Sequence, residues 1–169
     1  MELTLTDLTP DDPALVTDVG PLMETLRPGL GADAFLEFAT AAHHQGLVFT
    51  AAHDPAGRCV GVATHRVLAT SRGRLLFVDD LVTAPAARSA GVGSRLIGEL
   101  RERARRAGCV RLELDTGTAN PGAQRFYHAQ RMNIVALHFA LDVNADGDMD
   151  RTGMRTVPAP DLTDPESHR

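Results

Sequence analysis

Lysine is missing altogether: all 17 basic side chains among the 169 residues are arginine. That excludes Schiff-base chemistry through a lysine and the lysine of a P-loop. Tryptophan is missing too, and Tyr127 is the one tyrosine, so aromatic platforms for single-stranded nucleic acid are not expected. The two cysteines, Cys59 and Cys109, stand far apart with no CxxC pair. They make neither a zinc site nor a disulfide framework and read as buried thiols near strand starts. No apolar run nears the ~18 residues that would span a membrane. The first residues carry no basic or apolar leader region. The expectation is a protein of the reducing cytoplasm with no membrane partner. Positive charge is not in excess: 17 basic against 22 acidic side chains leave a net charge of −5. A protein that grips nucleic acid phosphates by bulk attraction is therefore disfavoured.

What is present is ordinary globular material, 43% hydrophobic and 23% charged, in a length that suits one domain. Thr enrichment and alternation predict a strand over residues 2–7. The Thr9-Pro10-Asp11-Asp12-Pro13 stretch opens a helix that runs to about Leu26 and stops at Arg27-Pro28-Gly29. A second helix is predicted from about Ala32 to His44. Strands follow at 47–52, 59–70 and 74–83, joined by short turns, which makes an antiparallel meander. Gly91 to Ala107 reads as a helix with Val92, Leu96, Ile97, Leu100 and Ala104 on one face. A strand over 110–115, a short helix over 120–130 and a last strand over 134–143 complete a mixed α/β domain at residues 1–143. Residues 144–169 lose periodicity and read as a mostly disordered tail, with one short strand near Met154–Val157.

The chemistry concentrates where the strand ending in Leu81-Val82-Thr83 runs into a glycine-containing helix start. Unpaired backbone N–H groups and the positive end of the helix dipole gather there. Gly91 and Gly93 let a bulky anion approach the backbone, so a phosphate or pyrophosphate is the natural ligand. The P-loop pattern fails, because Glu99 and Leu100 follow Gly98. The dinucleotide fingerprint fails, because Leu96 replaces its third glycine and the preceding strands form a meander. Arg88-Ser89-Ala90-Gly91-Val92-Gly93 instead satisfies [R/Q]xxGx[G/A] in full. One helix and one strand later comes Asn120-Pro121-Gly122-Ala123-Gln124-Arg125-Phe126-Tyr127, an N-x-x-A-x-x-F-Y pattern.

Together, in this order, the two motifs resemble the GNAT superfamily of N-acetyltransferases, over about residues 2–143. The stretches Val78-Asp79-Asp80-Leu81-Val82 and Leu112-Glu113-Leu114-Asp115-Thr116-Gly117 are similar to a bacterial branch of unassigned substrate. The resemblance implies the GNAT fold, a mixed and mostly antiparallel sheet flanked by helices, and acetyl-CoA as cofactor. It implies that backbone groups of Leu81, Val82 and Thr83 pair with the pantetheine arm. It implies that Arg88 and the amides of Ser89, Ala90, Gly91, Val92, Gly93 and Ser94 hold the pyrophosphate. Asn120 would hydrogen-bond pantetheine, and Tyr127 would protonate the leaving thiolate. A phenol of pKa ~10 is protonated at neutral pH and suited to that task.

An amine nucleophile must also lose a proton, and a carboxylate can take it. The family's common glutamate on this strand aligns with Phe77, which is no acid. Asp79 and Asp80 are the candidates beside it. Alternation sends them to opposite faces and puts Asp79 on Phe77's side. Asp115, on the polar face of the next strand, is a candidate for holding a substrate ammonium. His43 and His44 end the second helix and are weaker candidates. The Asn144–Asp150 stretch fails as a calcium loop, since Arg155 stands where the twelfth-position acid belongs, and no metal is expected.

The chain departs from the family in one place: Arg131-Met132 stands where Gly-Phe usually closes the second motif. It also shows one strand after that helix. The usual last strand is then absent, or comes from the 154–157 region, or comes from the second copy in a homodimer. The expected activity is direct acetyl transfer to a primary amine of a small molecule. Protein or peptide N-acetylation, and a non-catalytic acyl-CoA sensor or interaction module, are the alternatives.

Overall fold

The computed structural model describes residues 2–141 and Val143. The expected tail at 144–169, with its short strand near 154–157, lies outside the described residues. Five strands form one sheet in the order β1 (Thr4–Leu8), β2 (Val48–His53), β3 (Cys59–Thr70), β4 (Gly73–Thr83) and β5 (Arg111–Leu114). The pairs β1–β2, β2–β3 and β3–β4 are antiparallel, and the predicted meander stands. β4 and β5 are parallel. A parallel pair needs a crossover, and the helix α3 (Val92–Arg106) supplies it.

α3 covers one face of the sheet. All five residues of its predicted apolar stripe are buried, and Val92, Leu96, Leu100 and Ala104 pack on Ala63, Leu76 and Val78. The opposite face carries α1 (Gly20–Leu26) and α2 (Ala32–His44) over Phe49, Ala51, Val62 and Val82. Phe35 and Phe38 of α2 meet Phe49 edge-on at 6.1 and 6.2 Å, an arrangement that suits the ring quadrupoles. The first predicted helix is split: a π-helical turn at Leu15–Val19 precedes α1. α4 (Pro121–Ala129) follows β5 and begins on Asn120, whose Oδ1 accepts the Ala123 N–H at 3.0 Å.

The predicted last strand at 134–143 does not form. No residue from 134 to 141 is in a strand, and Val135, Leu137, Phe139 and Leu141 stand 68–87% exposed. Alternation supplies a strand's side-chain pattern, but a strand also needs a ladder partner for its N–H and C=O groups. Among the described residues the sheet ends at β5.

Candidate active site

β4 runs past β5. Their pairing stops at Val78 opposite Leu114, while β4 continues to Thr83 against β3. The β5-facing backbone edge of β4 is therefore unpaired from Asp79 to Thr83, beside Leu81, Val82 and Thr83. Val82 itself is buried in the core beneath α1 and α2, so it offers only its backbone. Such an edge is suited to an extended ligand that completes the ladder.

The chain then turns through Pro85–Ala87 into α3. Arg88, Ser89, Ala90 and Gly91 are exposed, and Ser89 and Gly91 take positive φ, 62° and 86°. α3 starts with no side-chain cap and no acidic residue in its first turn. Its first N–H groups and its positive dipole end face outward uncompensated, as an anion site requires. A Cβ on Gly91 would meet nothing within 4 Å, so the approach is open. Gly93 serves packing instead: a Cβ there would lie 3.0 Å from Phe126 Cζ. The Gln130 side chain donates to Ser94 Oγ at 3.0 Å. Phe126 and Gln130 thus seat α4 on the first turn of α3, and Tyr127 is brought to the same end of the sheet. Arg88 and Ser89 flank the open approach, whereas Val92 turns its side chain into the core and offers its N–H.

Asp79 and Asp80 do not alternate. Val78 stands opposite His65 and Asp80 opposite Thr64, which leaves Asp79 as the extra residue of a β-bulge. Parity changes across it: Leu76 and Val78 pack under α3, whereas Val82 packs under α1 and α2. Asp80 therefore falls on the face that Phe77 occupies, and Asp79 is met by Arg66, the residue opposite Phe77. Unbroken pleating would keep Asp80 off that face, and the bulge brings it there. Asp79 is engaged by Arg66, whose Nε donates to Oδ2 at 3.1 Å while Nη2 bonds Oδ1. Asp80 accepts from Arg27 Nη2 at 2.9 Å and, more weakly, from Thr64 Oγ1 at 3.4 Å. Burial raises the Asp80 carboxyl above the ordinary carboxylate range, opposed by Arg27 and reinforced by Asp79. Tyr127 is half-buried, edge-on to Phe126 at 5.3 Å. Burial first, and then the charge of Asp80, push its phenol above 10.

The remaining candidates are dispersed. Asp115 is exposed just beyond β5, with His138 Nδ1 at 3.0 Å. Asn120 spends its carbonyl oxygen on capping α4. His43 and His44 are exposed at the end of α2. Arg27, Thr64 and Arg66 were not foreseen. Arg27 reads in sequence as part of a helix stop, and nothing local announces a partner 53 residues away.

The fold corresponds to that of known proteins. The profile of the Acetyltransferase (GNAT) family matches residues 16–132. The uncharacterized N-acetyltransferase YhdJ of Bacillus subtilis (strain 168) is 31% identical over 109 residues, covering 63% of this chain and 76% of that protein. A Trypanosoma brucei acetyltransferase superposes with a TM-score of 0.67 at 27% identity, over 84% of this chain and 100% of that one. The aminoglycoside N-acetyltransferase AAC(6')-Iy in complex with CoA reaches a TM-score of 0.73 at 17% identity, over 85% and 95%. The chain belongs to the GNAT acetyltransferase family. It is an N-acetyltransferase with acetyl-CoA as its acetyl donor. The residues present fit that donor: a free strand edge for the pantetheine arm, and an uncapped helix start with open space at Gly91 for the pyrophosphate. No helix among the described residues is long and apolar enough to cross a membrane.

Proposed function

We propose that this chain transfers acetyl directly from acetyl-CoA to a primary amine of a small molecule, with Asp80 taking the proton and Tyr127 giving one. The observation that carries the reading is the mostly buried Asp80 carboxylate on β4, whose free edge adjoins it, near enough for its charge to raise the half-buried Tyr127 phenol. Acetyl-CoA supplies the electrophilic thioester carbonyl. The backbone of Leu81, Val82 and Thr83 orients the arm that carries it, and the amides from Ser89 to Ser94, with Arg88, hold the pyrophosphate. Asp80 accepts one proton of the incoming ammonium and passes it to solvent. The freed nitrogen pair forms the C–N bond as the C–S bond breaks. Tyr127 donates its phenolic proton to the departing sulfur and regains one from the new amide nitrogen. Asp79, held by Arg66, keeps the bulge in place, and Asn120 fixes the start of α4 that carries Tyr127.

Direct transfer is favoured because neither thiol suits an acyl-enzyme. Cys59 is half-buried and donates to the Gly61 carbonyl at 3.5 Å, and burial raises its thiol. Cys109 lies past the far end of the 15-residue α3, roughly 22 Å from the helix start at 1.5 Å per residue. Two free thiols fit a reducing cytoplasm. A small acceptor is favoured by the fold's use in aminoglycoside acetylation. A homodimer would cover the apolar stretch at 134–141, which sedimentation of the full chain reads directly.

The test is release of CoA thiol from acetyl-CoA with a panel of small amines, run beside short peptides with free amines. Turnover with a small amine that collapses in Tyr127→Phe and Asp80→Asn is expected. Turnover with peptides alone would move the acceptor class. CoA binding without turnover on any amine would make the chain a sensor.

A further inference from the structure

We propose that Arg27 gates this site: its guanidinium occupies the Asp80 carboxylate until the ammonium of the acceptor takes its place. The inference rests on the reading of Asp80 as proton acceptor. The two groups meet at 2.9 Å, with the Asp80 side chain 10% exposed and that of Arg27 45% exposed. The cation is the more exposed partner, and an acceptor ammonium that pairs with Asp80 competes with it for the carboxylate.

Arg27 stands where it can leave. It is the C-cap residue of α1, its backbone is already outside the helical region at φ −126° and ψ 80°, and it opens the Pro28–Gly31 connection to α2, which is exposed except at Leu30, packed on the core. Gly29 there takes a φ of +92° with nothing within 4 Å of its Cβ position. The side chain can swing away with its backbone in place, so the Arg27 N–H bond to the Met23 carbonyl at 2.8 Å and the Leu30 N–H bond to the Arg27 carbonyl at 3.1 Å are both kept.

Departure cannot go uncompensated. Without Arg27 the carboxylate keeps one long bond from Thr64 of β3 and gains nothing from its neighbours. Asp79 on the same strand repels it, Arg66 of β3 is committed to Asp79, and Tyr127 of α4 carries no positive charge. A half-buried carboxylate left unpaired is costly, and exchanging one cation for another avoids that cost. The site therefore selects acceptors that arrive as ammonium ions, such as alkyl amines, over alcohols and aryl amines that are neutral near pH 7. It also keeps Asp80 from activating water while no acceptor is bound.

The experiment needs no identified acceptor. CoA thiol release from acetyl-CoA in water is measured on the full chain as wild type, Arg27→Gln, Arg27→Lys and Arg27→Gln/Asp80→Asn. In this hydrolysis Asp80 takes a proton from water, the C–O bond forms, the C–S bond breaks, and Tyr127 protonates the sulfur. Arg27→Gln is expected to raise hydrolysis about tenfold, a small part of the ~10²–10⁴ that a positioned base contributes. Arg27→Lys brings it back down, and the double variant loses the gain. NMR titration of the Asp80 carboxyl carbon gives a second reading: Asp80 titrates at lower pH in wild type than in Arg27→Gln. Equal hydrolysis and equal titration in proteins that bind acetyl-CoA would overturn the gate and leave the acetyltransferase reading standing. Failure of every protein to bind acetyl-CoA would overturn both.

Discussion

Burial and the neighbouring Asp80 charge both keep the Tyr127 phenol protonated, as its proposed role as acid requires. Removing only its hydroxyl isolates proton donation from packing, since Phe still fills the space beside Phe126. Tyr127→Phe is expected to lower kcat by about 10²–10⁴-fold and to leave the acetyl-CoA Kd unchanged in calorimetry. The pH profile follows from the same two groups. The base must be ionised, so kcat/KM rises with pH through the Asp80 value, which lies above the ordinary carboxylate range. The acid must be protonated, so activity falls only above pH 10. In Asp80→Asn the acid limb disappears along with most of the rate. Tyr127 was legible because it closes a motif that names its own position. The choice between Asp79 and Asp80 was not, because pleat alternation carries no sign of a bulge. Arg27 was hidden for another reason: an ion pair across 53 residues is a property of the assembled fold.

At the level of elements, α3 is held close to the sheet by a missing side chain. A Cβ on Gly61 of β3 would lie 2.6 Å from Val92 Cγ1 and 3.3 Å from Leu96 Cδ1. Gly61→Ala is expected to push the start of α3 outward, weaken acetyl-CoA binding and cost roughly 1–3 kcal/mol in urea denaturation. α4 closes with a Schellman pattern, Met132 N–H to Tyr127 O at 3.0 Å and Arg131 N–H to His128 O at 2.9 Å. Arg131 is left-handed there, at φ 62°, in the position where glycine is the comfortable residue. Arg131→Gly should raise stability by about 1 kcal/mol, read from the denaturation midpoint. The departure at Arg131-Met132 thus places a non-glycine residue in a left-handed backbone position. α3 was legible from its stripe because a long amphipathic helix repeats its signal. The 134–141 stretch misled because its alternation is genuine while its ladder partner is not in the described sheet.

For the whole molecule, the charge network under α3 sets the response to acid. Arg103 holds Asp7, Asp7 accepts from Thr50, and Thr50 Oγ1 lies 3.2 Å from Nε2 of buried His65, whose Nδ1 has no partner. Burial, with Arg103 nearby, lowers His65 from 6.5 to about 4. Below pH 6.5 the unfolded chain takes up a proton that the folded one refuses, so stability falls as pH drops from 6.5 towards 4. The loss approaches roughly 3 kcal/mol at the lower end. Urea denaturation between pH 7 and 4.5 reads it, and His65→Gln, which keeps a partner for Thr50, flattens the slope. Composition excluded whole classes of function at this scale, through the missing lysine and the acidic balance. The acceptor was not legible, because the groups that would meet it come from the α1–α2 connection, β3, β4 and α4, and only folding assembles them.

Everything proposed for the site depends on the glycine-containing start of α3 holding acetyl-CoA. Calorimetric titration of the full chain with acetyl-CoA, beside Gly91→Glu, tests it most directly. Gly91 faces open space, so the glutamate fits sterically and acts by placing a negative charge at the anion site, with a backbone cost of about 1 kcal/mol. Micromolar binding by wild type is expected, and none by a Gly91→Glu protein that remains folded by circular dichroism. Equal binding by both, or no binding by a well-folded wild type, would contradict it.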